Sequence, residues 1–344
     1  MTEVIVVGSG PAGMSAAFFL SLNEGIKVTV LERLGERQYE RYHRICGGGI
    51  SKKAFRELRP MVPGGVLNGI SRTRIVWPDG TEVRLRTPGY ILDRPVFLSG
   101  LRQECERRGV EFVNCSVTDV EYDGRYILKT TSGTTFSSDW LIGADGCCSI
   151  VRKRLFGSVP KDRVPATECI VEGRRNDDLE IRLVPDGSGT YTWSFPRGDD
   201  TGTGGRKGYD EDCVSKGSRF IPIGGVGSII REKALLIGDA AAMANPISFG
   251  GLRAALISGR IASRAIVSGR PELLQRWWDS SVLSDRRFMD FNEKLKTWSA
   301  EDMNDAVRPF RHGGIYLPGI WACITRPGNI NMYFGCLFAF RYGW

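Results

Sequence analysis

The chain has 344 residues, of which 42% are hydrophobic and 25% charged, the balance of an ordinary soluble protein with apolar material for two or three units. Its apolar runs are too short for a membrane-spanning helix, and two histidines, His43 and His312, give little support to a metal centre or a Ser-His-Asp triad. The net charge of +8 suits phosphate-bearing ligands or an anionic membrane surface, while the lack of a Lys/Arg block interleaved with aromatics argues against nucleic acid.

In chain order, Glu3–Val7 reads as a buried strand closed at once by Gly8, not as a secretory leader. Pro11–Asn23 reads as an Ala-rich helix and Lys27–Leu31 as a valine-rich strand. Residues 36–50 read as a polar, then Gly-rich loop, followed by a short helix at Lys52–Leu58. Ile70–Trp77 and Glu82–Arg86 alternate as a hairpin around Pro78-Asp79-Gly80. A helix at Arg94–Arg108 leads to a parallel strand at Val110–Asn114, then three short strands and Trp140–Ala144. Residues 167–206 hold strands, Ala234–Ile237 is a buried strand and Gly251–Ser268 a long helix. Residues 271–305 are helical and amphipathic, and the tail to Trp344 reads as aromatic and irregular.

The strands near 4, 28, 111, 141 and 235 are expected in one sheet, and segments near 60–90 and 160–225 in a second, mostly antiparallel one. This predicts an α/β chain. Residues 1–65, 94–155 and 229–270 form a Rossmann-type ββα three-layer cofactor domain. Residues 66–93 and 156–228 form an interleaved antiparallel substrate domain, and 271–344 a short helical C-terminal region. Nine scattered cysteines without a Cys-x-x-Cys pair read as reduced, which points to the cytoplasm.

Gly8-Ser9-Gly10-Pro11-Ala12-Gly13 follows a strand and opens a helix. Gly8 permits the turn, Gly10 lets a diphosphate approach, and Gly13 lets the helix pack on the sheet. The helix N-terminus offers free N–H groups to the anion. Glu32, at the end of the second strand, can accept both ribose hydroxyls of an adenosine. A second element runs Gly143-Ala144-Asp145-Gly146, and a third runs Gly238-Asp239-Ala240-Ala241, then Pro246, Gly250, Gly251 and Leu252 at the start of the long helix. Asp239 is placed to meet a ribityl chain or diphosphate, and the helix start to stabilise a reduced flavin. FAD is the cofactor that needs all three.

These three motifs resemble the FAD-binding fold of para-hydroxybenzoate hydroxylase and its relatives. Within that class, His43-Arg44-Ile45-Cys46-Gly47-Gly48-Gly49 and Tyr191-Thr192-Trp193-Ser194-Phe195-Pro196 resemble two segments of geranylgeranyl reductases. The resemblance covers residues 1 to about 270. It implies cofactor contacts from Arg33, Cys46, Gly47, Gly48, Arg94 and Val117, a catalytic Cys46, and a substrate cavity lined by Tyr191, Trp193 and Phe195. Two departures stand out: Ala242 where the family has Gly, and a short polar link at Lys207–Ser218.

The activity so implied is reduction of C=C bonds in a polyprenyl chain of a lipid or isoprenoid diphosphate. A hydride would go to one carbon and a proton to the other, with Cys46 as a candidate donor. NAD(P)H, a deazaflavin or a ferredoxin-like protein would supply the electrons. His43 reads as a loop hydrogen-bonder. Aromatics and arginines in the tail suit peripheral membrane contact. Two other readings stay open: a flavin monooxygenase or halogenase acting on an aromatic or quinone, and a flavin-binding electron-transfer protein.

Overall fold

A computed structural model describes residues 1–206 and 212–344. The chain runs β1 (Thr2–Val7), α1 (Pro11–Leu20), β2 (Ile26–Glu32), α2 (Glu36–Arg44), β3 (Gly49–Ser51), α3 (Lys52–Glu57), β4 (Val66–Val76), β5 (Glu82–Leu92) and α4 (Arg94–Arg107). It continues with β6 (Glu111–Asn114), β7 (Val117–Asp123), β8 (Arg125–Thr130), β9 (Thr135–Ser138), β10 (Trp140–Gly143), β11 (Asp162–Val171), β12 (Leu179–Leu183), β13 (Tyr191–Arg197) and β14 (Asp200–Gly205). Then come β15 (Ser215–Ile223), β16 (Ile230–Arg231), β17 (Ala234–Leu236) and six helices: α5 (Leu252–Val267), α6 (Glu272–Ser280), α7 (Arg286–Thr297), α8 (Ala300–Val307), α9 (Tyr316–Thr325) and α10 (Ile330–Tyr342).

The first sheet has the order β16-β17-β10-β1-β2-β6, parallel except at the β16 edge. Val4 to Val7 are buried throughout, as a central parallel strand covered on both faces requires. One layer over this sheet is built from α1, α4 and α5. Helices α1 and α5 touch backbone to backbone: a Cβ on Gly259 would lie 2.6 Å from Ala12 O. Ser15 Oγ donates to Leu256 O at 2.5 Å and locks the same contact.

The second sheet has eight strands in the order β15-β11-β14-β13-β12-β4-β5-β3. Only the β12–β4 pairing is parallel among the pairs between these strands. β7, β8 and β9 form a separate three-stranded sheet. The chain is thus an α/β protein with a Rossmann-type parallel unit interleaved with a largely antiparallel sheet, closed by a helical C-terminal region.

The structure departs from the sequence expectations in four places. β3 lies within the span 1–65 expected for the cofactor unit, yet pairs with β5 of the second sheet. Residues 36–44 form a helix rather than a loop; α2 lacks an apolar stripe and buries only His43. The tail is not irregular but folds as α9 and α10, with Phe340 and Trp344 packed inside. The link at 207–218 becomes strand β15 from Ser215, and residues 207–211 lie outside the described residues. The cysteines also need correction. Cys169 and Cys213 are joined by a disulfide across 44 residues, because β15 lies beside β11 and carries Cys213 to it.

Candidate active site

A cavity of about 590 Å³ lies between the carboxyl edge of the parallel sheet and one face of the second sheet, within the usual range for small-molecule sites. At its nucleotide end, Gly8 has φ +95°, and a Cβ there would sit 2.6 Å from Ala144 O. Only glycine fits both the angle and the contact. Around Gly10 there is open space towards His43 Cε1 at 3.7 Å, which leaves the room a diphosphate needs. No side chain caps α1, so its first-turn N–H groups remain available for an anion.

Glu32 lines the same end, with Arg33 and Val117. Its carboxylate accepts hydrogen bonds from Ser9 N–H (2.8 Å), the Ser9 hydroxyl (2.7 Å) and Leu34 N–H (2.8 Å). These hold it at the strand end with acceptor capacity to spare. Ser9 was not singled out from sequence, because it occupies a variable position of the Gly-rich motif. Tyr39 donates to Ser9 O at 2.6 Å, and burial raises its phenol pKa, so it stays a donor.

The second and third motifs are tied together by Arg152. This buried guanidinium donates to Ala240 O (2.7 Å) and Cys147 O (2.6 Å). Asp145 Oδ2 accepts from Ile150 N–H (2.6 Å) and Val151 N–H (3.3 Å), so its carboxylate caps the following turn. Burial raises the pKa of Asp145, and that of Asp239. Asp239, Gly250, Gly251 and Leu252 line the cavity at the uncapped start of α5. Ala144 and Gly146 line it too, whereas Gly13, Gly238 and Pro246 stand behind it. Gly13 packs on Gly8, Gly238 on Ala12, and the buried Pro246 carbonyl accepts from Asn292 Nδ2 at 2.9 Å.

Ala242 and Phe249 have φ of +54° and +49°, in the left-handed region. The position where the family pattern has Gly is thus one where glycine is free of the steric strain an L side chain meets. Ala242→Gly is expected to raise stability by about 1 kcal/mol, read as an upward shift in Tm.

At the sheet end, Arg94 donates to His43 O (3.1 Å) and Ile45 O (3.5 Å), which fixes the approach to Cys46. Cys46 Sγ accepts from Gly48 N–H at 3.4 Å. A Cβ on Gly47 would lie 2.7 Å from Phe195 Cδ2, and one on Gly204 would lie 2.0 Å from Trp193 Cζ2. Glycine therefore lets both aromatic rings approach the backbone closely. Tyr191 stacks on Phe249 at 5.3 Å and donates to Ser248 O, joining the second sheet to the third motif. Cys46, Gly47, Gly48, Tyr191, Trp193 and Phe195 all face the cavity.

His43 does not hydrogen-bond its loop as expected: its ring is buried against Tyr39 and its Nδ1 has no partner among the described residues. Burial, then Arg94 and Arg219, hold its pKa well below the usual imidazole range, so it is neutral. Sequence reasoning also missed Glu168. It is 5% exposed and lines the sheet end, and burial pushes its pKa up to about 7 against the opposing pull of Arg197, Arg219 and Arg94.

Residues 1–60 match the FAD binding domain family model. Digeranylgeranylglycerophospholipid reductase 1 of Methanopyrus kandleri is 30% identical over 316 residues, covering 78% of this chain and 81% of that protein. The chain belongs to the geranylgeranyl reductase family of FAD-dependent oxidoreductases. A geranylgeranyl bacteriochlorophyll reductase-like protein of Thermoplasma acidophilum shares the fold of this reductase. It aligns with a TM-score of 0.75 and 19% identity over 98% of this chain and 99% of that one. HpxO of Klebsiella pneumoniae, complexed with FAD, aligns at a TM-score of 0.62 and 17% identity, over 99% and 100%. The reductase's cofactor is FAD. The glycine cradle, the uncapped helix starts and the oriented Glu32 fit that group.

Proposed function

We propose that this reductase saturates carbon–carbon double bonds of a polyprenyl chain borne by a lipid. Bound FAD would supply hydride. The residues of the chain supply the rest: the nucleotide end fixes the cofactor, and the sheet end holds the alkene and keeps water out. The observation that carries this reading is the continuity of the two ends in one cavity, with Trp193, Phe195 and Tyr191 on its apolar side. Each buried CH₂ contributes about 0.8 kcal/mol, so an isoprenoid tail gains affinity from this wall without a charged partner. We assign residues 1–65 apart from β3, which pairs in the second sheet, together with 94–155 and 229–270, to the cofactor domain, and 66–93 and 156–228 to the substrate domain. We read Cys46, which lines the cavity, as an active-site residue.

Anaerobic stopped-flow tests the reading. Reduced enzyme mixed with an unsaturated prenyl lipid should regain oxidised-flavin absorbance, and the fully saturated lipid should leave it bleached. Reoxidation that requires oxygen would instead favour a monooxygenase.

A lipid substrate also gives meaning to α9. Tyr316, Leu317, Ile320, Trp321 and Ile324 share one face of this helix and are 60% to 80% exposed. Arg308 and His312 line a depression beside Trp321 together with Arg311 and Arg326, which pair with Asp79 and Asp305. Apolar face and cationic rim together suit the surface of an anionic bilayer. No helix among the described residues is long and apolar enough to cross a membrane, so contact here would be peripheral. Flotation with anionic liposomes is expected for the wild type and lost in the Leu317→Ser, Trp321→Ser double variant. Equal flotation of the two would remove α9 from the account.

A further inference from the structure

We propose that Glu168, in its protonated form, is the proton donor that completes saturation of the double bond. This rests on the reading of the substrate given above.

The geometry begins with register. On β11, Glu168 stands opposite Gly204 of β14 and Gly217 of β15. Neither flanking strand therefore places a side chain beside it. The vacated space is filled from above by other groups. Trp193 lies over Gly204, and Ile45 packs on Gly217, with its Cγ1 3.0 Å from where a Cβ would sit. Trp193 and Ile45, the residue before Cys46, thus occupy the space over the two glycines that flank Glu168, at the sheet end of the cavity that Arg94 and Arg219 also line. Its Oε1 lies 2.9 Å from the Cβ position of Gly202, so a side chain there would strike the carboxyl. That oxygen is buried and has no hydrogen-bond partner among the described residues.

Burying a carboxylate without a partner is costly, and the cost is avoided by holding the proton. The charged groups acting on Glu168 are Arg197 at the end of β13, Arg219 of β15 and Arg94 of α4. They favour the anion but do not cancel the burial, so the acid is poised near neutrality. A donor matched to its working pH is what general-acid catalysis requires. In the step, the C=C π bond breaks as one alkene carbon takes the hydride, and with it both electrons, that bound two-electron-reduced FAD would supply. The Glu168 O–H bond breaks, its proton forms the second C–H bond, and the carboxylate left behind regains a proton from water.

Three readouts test this on the FAD-loaded protein. In anaerobic single turnovers with a prenyl lipid, Glu168→Gln should keep its flavin and slow alkene reduction by at least about 100-fold, the usual scale of a general acid. Independently of turnover, infrared difference spectra of the wild type should show a buried carboxyl losing its proton near pH 7, absent in Glu168→Gln. The melting temperature of Glu168→Gln relative to wild type should also climb between pH 5 and pH 8. The folded pKa is raised, so wild-type stability falls as pH rises from the unfolded value towards about 7. Turnover of Glu168→Gln within about threefold of wild type would overturn the proposal and leave the substrate reading intact. Should that variant hold FAD poorly, the same spectra of both proteins with FAD removed still decide: a pH 5 to pH 8 difference that the substitution leaves unchanged contradicts the proposal. A wild type that reduces no prenyl lipid would sink the substrate reading and this proposal together.

Discussion

Gly13→Ala is expected to purify without flavin. A Cβ on Gly13 would lie 1.9 Å from the backbone Gly8 O, inside any tolerable contact, and a tight 3.2 Å from Val6 Cγ1. The methyl must push α1 off the turn that it closes, and the first-turn N–H groups then miss the diphosphate. At FAD concentrations 100 times Kd, loss of binding removes about 2.7 kcal/mol of ligand-linked stability. The flavin-to-protein absorbance ratio and Tm with added FAD measure both effects. Gly10→Ala provides the contrast. Its Cβ meets nothing closer than His43 Cε1 at 3.7 Å, so that variant should fold normally and lose FAD affinity alone. Wild-type flavin content in Gly13→Ala would contradict the assigned geometry.

Gly204→Ala is expected to keep FAD and lose turnover. The new methyl would fall 2.0 Å from Trp193 Cζ2, 2.2 Å from Trp193 Cε2 and 2.7 Å from Thr167 O. The backbone oxygen belongs to the neighbouring strand and cannot move far, so the indole must lift into the cavity. Displacing a substrate-positioning wall by about 1 Å can cost on the order of 100-fold in rate. Steady-state kinetics with a short and a long prenyl chain would show it, with the longer chain hurt more. Unchanged kinetics would mean that Trp193 does not touch the substrate.

The parallel sheet and the three flavin motifs were legible because each carries a local physical demand. Gly8 needs a positive φ, Gly13 needs a missing Cβ, and Val4 to Val7 need burial on both faces. Helix α2 was not legible, since Glu36–Arg44 is polar throughout and only tertiary contact of Tyr39 and His43 gives it an inner face. In α9 and α10, Pro318, Gly319 and Gly335 mask the helical pattern, and packing overrides propensity. The Cys169–Cys213 pair has no spacing signature across 44 residues. Glu168 was hidden for the same reason that makes it interesting. An acid on a mixed strand looks solvated until the glycines of two flanking strands and a distant loop close over it. Ala242 was the reverse case, a departure visible in sequence whose meaning came only with its φ of +54°.

The most direct test of the central claim is the mass of the lipid product formed without oxygen. Enzyme reduced under argon and supplied with a polyprenyl glycerolipid should return that lipid heavier by about two mass units for each double bond saturated. An unaltered lipid beside fully reduced enzyme, or a product carrying an added oxygen once air is admitted, would contradict the account.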